Sequence, residues 1–253
     1  LSSDGQMVIF ADHLIGRKPS GNPTVFRRGM DGSAAVAIGE GNAGAVSPDG
    51  RWVLAWSKDS LILLPTGAGS MVTLPKGNLV RVGAGSWVGD SKRIVFTGDL
   101  GDNNPRGYLQ EIPGGIPRAI TPHGVFLPGK AAARDEHSIL GRSGDRWVLY
   151  PIDGGNGQPF PALTARDIPI QWSDDGRFLY IVERPEWPPP AGFDVSRVEL
   201  ATGRRVLWKT LTPSDPVGVE DMRAATVITP DARSYCYSYQ RRLGDLFVVD
   251  GLK

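Results

Sequence analysis

Apolar and polar positions alternate along most of this chain in short runs that end in turn residues. In Gly44 to Trp56, GAVSPDGRWVLAW, a short apolar run meets a Ser-Pro-Asp-Gly turn, and the run that follows carries large residues at alternate positions. A period of two, rich in β-branched and aromatic residues, predicts β-strands joined as hairpins. Variants of the turn recur at Leu1-Ser2-Ser3-Asp4-Gly5, Trp87-Val88-Gly89-Asp90-Ser91, Ala133-Arg134-Asp135-Glu136, Trp172-Ser173-Asp174-Asp175-Gly176 and Ile228-Thr229-Pro230-Asp231-Ala232. The aspartates stand at 4, 49, 90, 135, 175 and 231, at intervals of 45, 41, 45, 40 and 56 residues. That is the spacing of four-stranded propeller blades.

Each residue of the turn has a physical task. Proline presets φ at the second position, aspartate bonds back to nearby amides, and glycine accepts the positive φ that closes the hairpin. Where glycine is replaced, at Ser91, Glu136 and Ala232, a looser turn with the same connection is expected. A second series of small turns at 31–32, 66–67, 114–115, 154–155, 202–203 and 250–251 runs in phase with the aspartates.

The expected fold is therefore all-β: a six-bladed β-propeller of four-stranded antiparallel blades, with the first and last blades incomplete in this fragment. It forms one domain over 1–253, with blades near 1–41, 42–80, 81–124, 125–165, 166–217 and 218–253. Blade four is the most degenerate, its turn having lost both proline and glycine, and its first strand is expected at Lys130 to Ala133. Blade one has only a stub of its first strand and blade six lacks a fourth, so the missing outer strand is expected just upstream of Leu1. Completing one terminus's blade with the other is how a ring closes without leaving long edges.

Composition narrows the function classes. Lys plus Arg is 28 and Asp plus Glu is 27, a balance that points to neither a nucleic-acid nor an anionic-membrane surface, though it leaves local binding open. Glycine at 33 and proline at 21 are aperiodic, and with 40% apolar residues they suit many short strands rather than disorder. A single cysteine, Cys236, excludes an internal disulfide and a cysteine zinc site. The longest apolar runs, such as Ser60 to Leu64 and Phe178 to Val182, are strand-sized and far short of a membrane span. The chain starts at Leu1 and enters a repeat turn at once, so it reads as a fragment without its targeting signals.

Candidate chemistry is sparse. Gly39-Glu40-Gly41-Asn42-Ala43-Gly44 matches GxGxxG, but a strand and a turn follow where a dinucleotide site needs a helix, so it reads as a blade-to-blade loop. Asp99, Asp102, Asn103 and Asn104 make an oxygen-rich loop without the spacing of a helix-flanked calcium loop. His13, His123 and His137 show no zinc-ligand spacing, and no Gly-x-Ser-x-Gly elbow occurs. Cys236 alternates with Tyr235 and Tyr237 as a packed strand thiol would. Trp52, Trp56, Trp87, Trp147 and Trp172 fall at similar repeat phase and are read as packing between blades, whereas Trp187 sits in a stiff Pro185-Glu186-Trp187-Pro188-Pro189-Pro190 segment, open to either packing or partner recognition. No catalytic residue, cofactor or metal site is assigned. The long loops within blades one, three and five fall between second and third strands, at one end of the channel, and binding usually resides on such loops. Arg17, Lys18, Asp99, Asp102, Arg106, Arg184, Glu186 and Trp187 form the expected rim of that binding face.

The turns SPDGRWVLAW and QWSDDGRFLYIV, with the third-strand ends, resemble TolB-like, WD-related propeller repeats over essentially the whole chain. The stretch Ser234 to Lys253, SYCYSYQRRLGDLFVVDGLK, resembles the final segment of the propeller in bacterial eukaryotic-like serine/threonine protein kinases. In those proteins an N-terminal kinase domain is tied, often through a membrane segment, to a C-terminal propeller. This chain has no Gly-rich loop over phosphates, no His-Arg-Asp and no Asp-Phe-Gly, so no kinase residue carries over. The resemblance implies a non-catalytic, monomeric sensor or interaction propeller that reads a protein, peptide or cell-envelope ligand outside the cytoplasm. The alternative it leaves open is a TolB-type periplasmic or envelope scaffold. An enzyme with an active site in the channel is the third class, and the sequence offers few of the acids and histidines it needs.

Overall fold

The structure is a computed structural model that describes residues 1–12, 21–57, 59–184, 192–221 and 226–242. The chain is laid down as successive antiparallel meanders. The first holds β1 (Met7–Asp12), β2 (Thr24–Gly29) and β3 (Val36–Glu40). The second holds β4 (Asn42–Val46), β5 (Trp52–Trp56), β6 (Leu61–Pro65) and β7 (Val72–Thr73). The third holds β8 (Arg81–Trp87), β9 (Arg93–Asp99), β10 (Arg106–Glu111) and β11 (Arg118–Ala119). The fourth holds β12 (Val125–Phe126), β13 (Ser138–Ser143), β14 (Arg146–Pro151) and β15 (Gln158–Pro159). The fifth holds β16 (Asp167–Trp172), β17 (Phe178–Glu183), β18 (Phe193–Glu199) and β19 (Arg205–Leu211).

These five sheets are five propeller blades. In place of a full sixth blade, the described residues show β20 (Val219–Asp221) paired with β23 (Gln240–Arg241), and β21 (Val227–Ile228) paired with β22 (Tyr235–Cys236). Val219 faces Arg241 and Ile228 faces Tyr235, so the two antiparallel pairs are nested one inside the other, with a register shift between Val219 and Asp221. The run Leu246 to Val249, whose apolar residues read as a third strand of that blade, lies outside the described residues. Blade one has three strands and lacks an inner one, in line with its sequence stub. A Cβ on Gly5 would sit 2.9 Å from Ser234 Oγ and 3.3 Å from Thr229 Cγ2, so the turn of blade one abuts the turn of the last ribbon and the ring comes round on itself.

Blade four departs from expectation. Lys130 to Ala133 is no continuous strand: the inner position is shared by β12 and a single bridge between Ala132 and Ile139. Pro128, which has no amide to give a ladder, and Gly129 interrupt the stretch between them.

The core is a set of layers between neighbouring blades. Leu54, Leu61 and Leu63 of blade two pack with Trp87, Ile94 and Phe96 of blade three. Val95 and Leu109 meet Leu127, Ile139 and Tyr150 across the next gap. Leu140, Trp147 and Phe160 meet Trp172, Leu179 and Ile181. Tyr180, Val182 and Val195 meet Ile228, and Val25 of blade one meets Val53, Ala55 and Leu64. Both faces of a middle strand are thus buried, which is why β9 and β17 read as continuous apolar runs.

The tryptophans lock these layers. The Trp87 indole donates to Ala45 O of the preceding blade at 2.9 Å, and the Trp172 indole donates to Lys130 O at 3.0 Å. Trp147 donates to Thr164 O at 2.8 Å, on the connection into blade five. Packing between blades is therefore the role of these three rings.

The repeat turn is more uniform than its sequence. Gly5, Gly50 and Gly176 are left-handed, and so are Ser91, Glu136 and Ala232 at the same position, with φ of 56°, 59° and 58°. All six amides close the same bond to the residue three back, from 2.8 Å at Ala232 to 3.2 Å at Ser91 and Glu136. The looser turn expected without glycine does not form. The side-chain network explains why. In Ser47-Pro48-Asp49 the Ser47 hydroxyl bonds Asp49 Oδ1 and accepts from the Trp52 amide, while Asp49 accepts from Arg51. Ser2 with Asp4, Ser173 with Asp175 and Thr229 with Asp231 repeat the arrangement. Blades three and four carry Val88 and Ala133 where the hydroxyl would be, and there the aspartate takes both amides itself: Asp90 from Lys92 and Arg93, Asp135 from His137 and Ser138. This clamp holds a non-glycine residue in a conformation that costs roughly 1–2 kcal/mol.

The clamps titrate. The hydroxyl of Ser2, Ser173 or Thr229 and then a backbone amide hold Asp4, Asp175 and Asp231 below the usual carboxylate range. At Asp90 and Asp135 burial works the other way, yet the amides and neighbouring groups outweigh it and both are lowered. A depressed carboxylate stabilises the fold fully above its unfolded pKa of about 4 and loses that contribution as pH falls through the lower folded value. The thermal midpoint is therefore expected to hold from neutral pH to about 5 and to fall below about 4. Asp175→Asn, which keeps an acceptor but cannot titrate, is expected to flatten that fall, and an unchanged slope would count against the clamp.

Candidate functional site

The inner strands converge, and convergence dictates small side chains. A Cβ on Gly44 would overlap the Leu54 carbonyl oxygen and lie 3.2 Å from the Trp56 ring. One on Gly85 would lie 2.9 Å from Val95 O. The pairing of β4 with β5, of β8 with β9 and of β16 with β17 shifts register within the inner strand, at Ala43/Val46, Val82/Gly85 and Pro169/Gln171. Such bulges bend an inner strand around the axis.

Two cavities share this channel. At the end ringed by the repeat turns, a space of about 90 Å³ is bounded by Ser3, Pro48, Gly89, Arg134, Glu136 and Pro230 with Trp87 and Trp172. Adjacent turns there are tied together: Asp49 N donates to Ser91 Oγ at 3.0 Å, Asp174 N to Pro230 O at 2.9 Å, and Arg134 pairs with Asp174. Further along the axis, about 250 Å³ is lined by Ala43, Ala45, Ala84, Ile168, Ile170 and Val227. Lys130 borders both. It is half-buried, and its ammonium pKa is lowered, first by burial and then by the charge of Arg134.

The opposite end carries the loops within blades. On blade three Asp99, 11% exposed at its side chain, accepts from the Gly101 amide at 2.5 Å and pairs with Arg81 at 3.0 Å. Arg81 also donates to Asn103, whose φ is 57°. Asp102 accepts from Asn104 N at 3.1 Å and is otherwise exposed. The oxygens of this loop are thus turned onto protein donors as local turns. Arg106 donates to Thr121 O at 2.9 Å and lies 3.5 Å from His123 Nε2. On blade five Arg166 pairs with Glu183 at 2.9 Å and donates to Arg184 O at 3.0 Å, beside an open recess of about 330 Å³ that Arg184, Phe193 and Asp194 also line.

Of the expected rim, then, Asp99, Asp102 and Arg106 come together on blade three, and Arg184 stands apart on blade five. Arg17, Lys18, Glu186 and Trp187 lie outside the described residues, as does His13. Arg81 and Arg166 escaped the sequence reading. Their signal is register: Arg81 is the cross-strand partner of Asp99, a pairing that the length of the β8–β9 hairpin sets. Gly39 to Gly44 runs from β3 into β4 with no helix, as a blade-to-blade connection. Cys236 is half-buried in β22 opposite Val227. Among the described residues no three His, Cys, Asp or Glu side chains converge as a metal set, and no helix is long and apolar enough to cross a membrane.

The backbone compares well with solved propellers. TolB from Acinetobacter baumannii superposes with a TM-score of 0.64 at 17% identity, over 93% of this chain and 58% of that one. The chain is a β-propeller. An oligogalacturonate lyase in complex with manganese gives 0.59 at 14% identity, over 92% of this chain and 67% of that one. A chain of a nidogen/laminin complex gives 0.55 at 14%, over 84% and 78%. No family model and no curated protein matches the sequence. The propeller therefore shares an architecture with proteins of different activities, and its function rests on its own sites.

Proposed function

We propose that this propeller is a non-catalytic binding module that takes a protein, peptide or cell-envelope ligand on its loop-bearing end. The observation that carries the reading is the arrangement of charge there. Asp102 and Arg184 are exposed at the ends of rigid strands, Arg184 beside the recess of blade five, while Asp99 and Arg106 are held in place by protein partners. Positioned, incompletely neutralised charges on a stiff scaffold favour recognition by complementary contact.

The parent on this reading is a bacterial serine/threonine kinase whose C-terminal propeller senses the ligand outside the cytoplasm; the support is the likeness of Ser234 to Lys253. The second reading is a TolB-type envelope scaffold, supported by the backbone likeness to Acinetobacter TolB. Sequencing the reading frame upstream of Leu1 separates them, because a kinase domain followed by a membrane segment fits the first and a signal peptide without a kinase fits the second. The binding face is tested by charge reversal. Asp102→Lys with Arg184→Glu is expected to weaken capture of partners from an envelope extract about tenfold or more, while Lys92→Glu at the turn end leaves it unchanged. The opposite pattern would move the binding face to the other end.

A further inference from the structure

Counting back three residues from the one that opens each turn (Ser47, Val88, Ala133, Ser173 and Thr229) gives Gly44, Gly85, Lys130, Ile170 and Thr226. All five line the same cavity. They are one ring of positions at the waist of the channel, and two of them carry polar groups without partners. Thr226 is 4% exposed, and its hydroxyl oxygen is buried with no hydrogen bond. A buried hydroxyl left unsatisfied is destabilising unless something accepts or donates to it. The Lys130 ammonium has no ion pair or hydrogen bond among the described residues. The charged side chain that acts on it is Arg134, of the same sign. Glu136, on the turn-end cavity, is engaged with Arg93 at 3.8 Å.

We propose that the waist of the channel binds a carboxylate carried on a small apolar body, with Lys130 Nζ taking the charge and the Thr226 hydroxyl donating to the second oxygen. The count of charges selects the class. Lys130 is the charged side chain of the lining, and the Leu1 amine beside it, lowered to about 6 by burial, is largely neutral at pH 7, so one cation meets a monoanion, whereas a phosphate or sulfate dianion would keep an uncompensated charge in a largely apolar space. A metal cation would be repelled by Lys130. The walls of Ala43, Ala45, Ala84, Ile168, Ile170 and Val227 suit an aliphatic body, and about 250 Å³ holds only a small one. A free aliphatic acid and the C-terminal carboxylate of an apolar peptide present the same group. This site is separate from the loop-bearing rim, so either assignment can fail without the other.

Hexanoate is the probe for the free acid, with hexanol and hexylamine as controls, read by NMR on protein carrying ¹³C-labelled lysine. The ε-methylene signal of Lys130 is expected to move with hexanoate and with neither control, with a Kd in the millimolar range that suits so small a ligand. Lys130→Met is expected to weaken binding about tenfold or more and Thr226→Val several-fold. Lys130→Arg, which retains the charge, is expected to keep most of it. If Lys130→Met does not fold, the wild-type signal with the Thr226→Val and Lys130→Arg variants decides. Ala-Ala-Ala-Leu as free acid and as C-terminal amide separates the sources: tighter binding of the acid than of hexanoate, with none of the amide, identifies a chain end, and hexanoate alone identifies a free acid. A still Lys130 signal with both carboxylates, or equal hexanoate affinity in wild type and Lys130→Met, overturns the assignment.

Discussion

Phe96→Ala is expected to remove about 3–5 kcal/mol of stability. Phe96 is fully buried in β9, in the layer between blades two and three, and stacks on Tyr108 with centroids 5.9 Å apart. Its neighbours Leu54, Leu63 and Ile94 are anchored in central strands of their sheets, so the void cannot close by collapse. Domains are stable by about 5–15 kcal/mol in total, so this one substitution removes a large share. The check is equilibrium urea unfolding: the midpoint falls while the slope stays fixed. Phe96→Leu keeps most of the volume and is expected to lose far less. A cost below about 1 kcal/mol for the alanine would mean that the layer repacks freely.

Gly44→Ala is expected to cost about 2–3 kcal/mol, at the upper end for overpacking. Replacing glycine by alanine elsewhere often gains about 0.4–1 kcal/mol by restricting the unfolded chain, so the sign itself is informative. The methyl would meet Leu54 O, a backbone atom of the paired strand that cannot swing aside. Gly83, on the neighbouring inner strand, is the control. A Cβ there would find its closest contact, Thr97 O, at 3.6 Å, which is ordinary packing. Gly83→Ala is thus expected to be neutral or mildly stabilising in the same unfolding assay. Equal effects of the two changes would show that strand entropy, and not close approach to Leu54, governs the inner ring.

What the sequence disclosed depended on how local the cause was. The turn aspartates were legible because each acts on amides two or three residues away. The conformations of Ser91, Glu136 and Ala232 were not, since glycine's absence argues for a loose turn and only the side-chain clamp reverses that argument. The inner strand of blade four was misread because Lys130 to Ala133 has the right phase for a strand, while Pro128 and Gly129 upstream break its pairing. The rim was half legible. Acids in a loop announce themselves, but the Arg81 that neutralises Asp99 stands 18 residues away and meets it only through hairpin register. Lys130 has a sequence signal of its own, being a charge at a repeat position that elsewhere holds glycine, isoleucine or threonine.

The layered core has a bearing on ancestry. Because each apolar layer is shared by two neighbours only, a duplicated blade inserted between them would meet the same kinds of surface it left. Blade number can then change by copying, with no side chain at the centre having to be reinvented. The part of the molecule that resists such copying is the axis, where the gap between inner strands widens with every blade added. A change in number would leave the layers sound and remake the channel, so that lineages of this architecture are free to diverge in what the channel holds while keeping nearly the same blades.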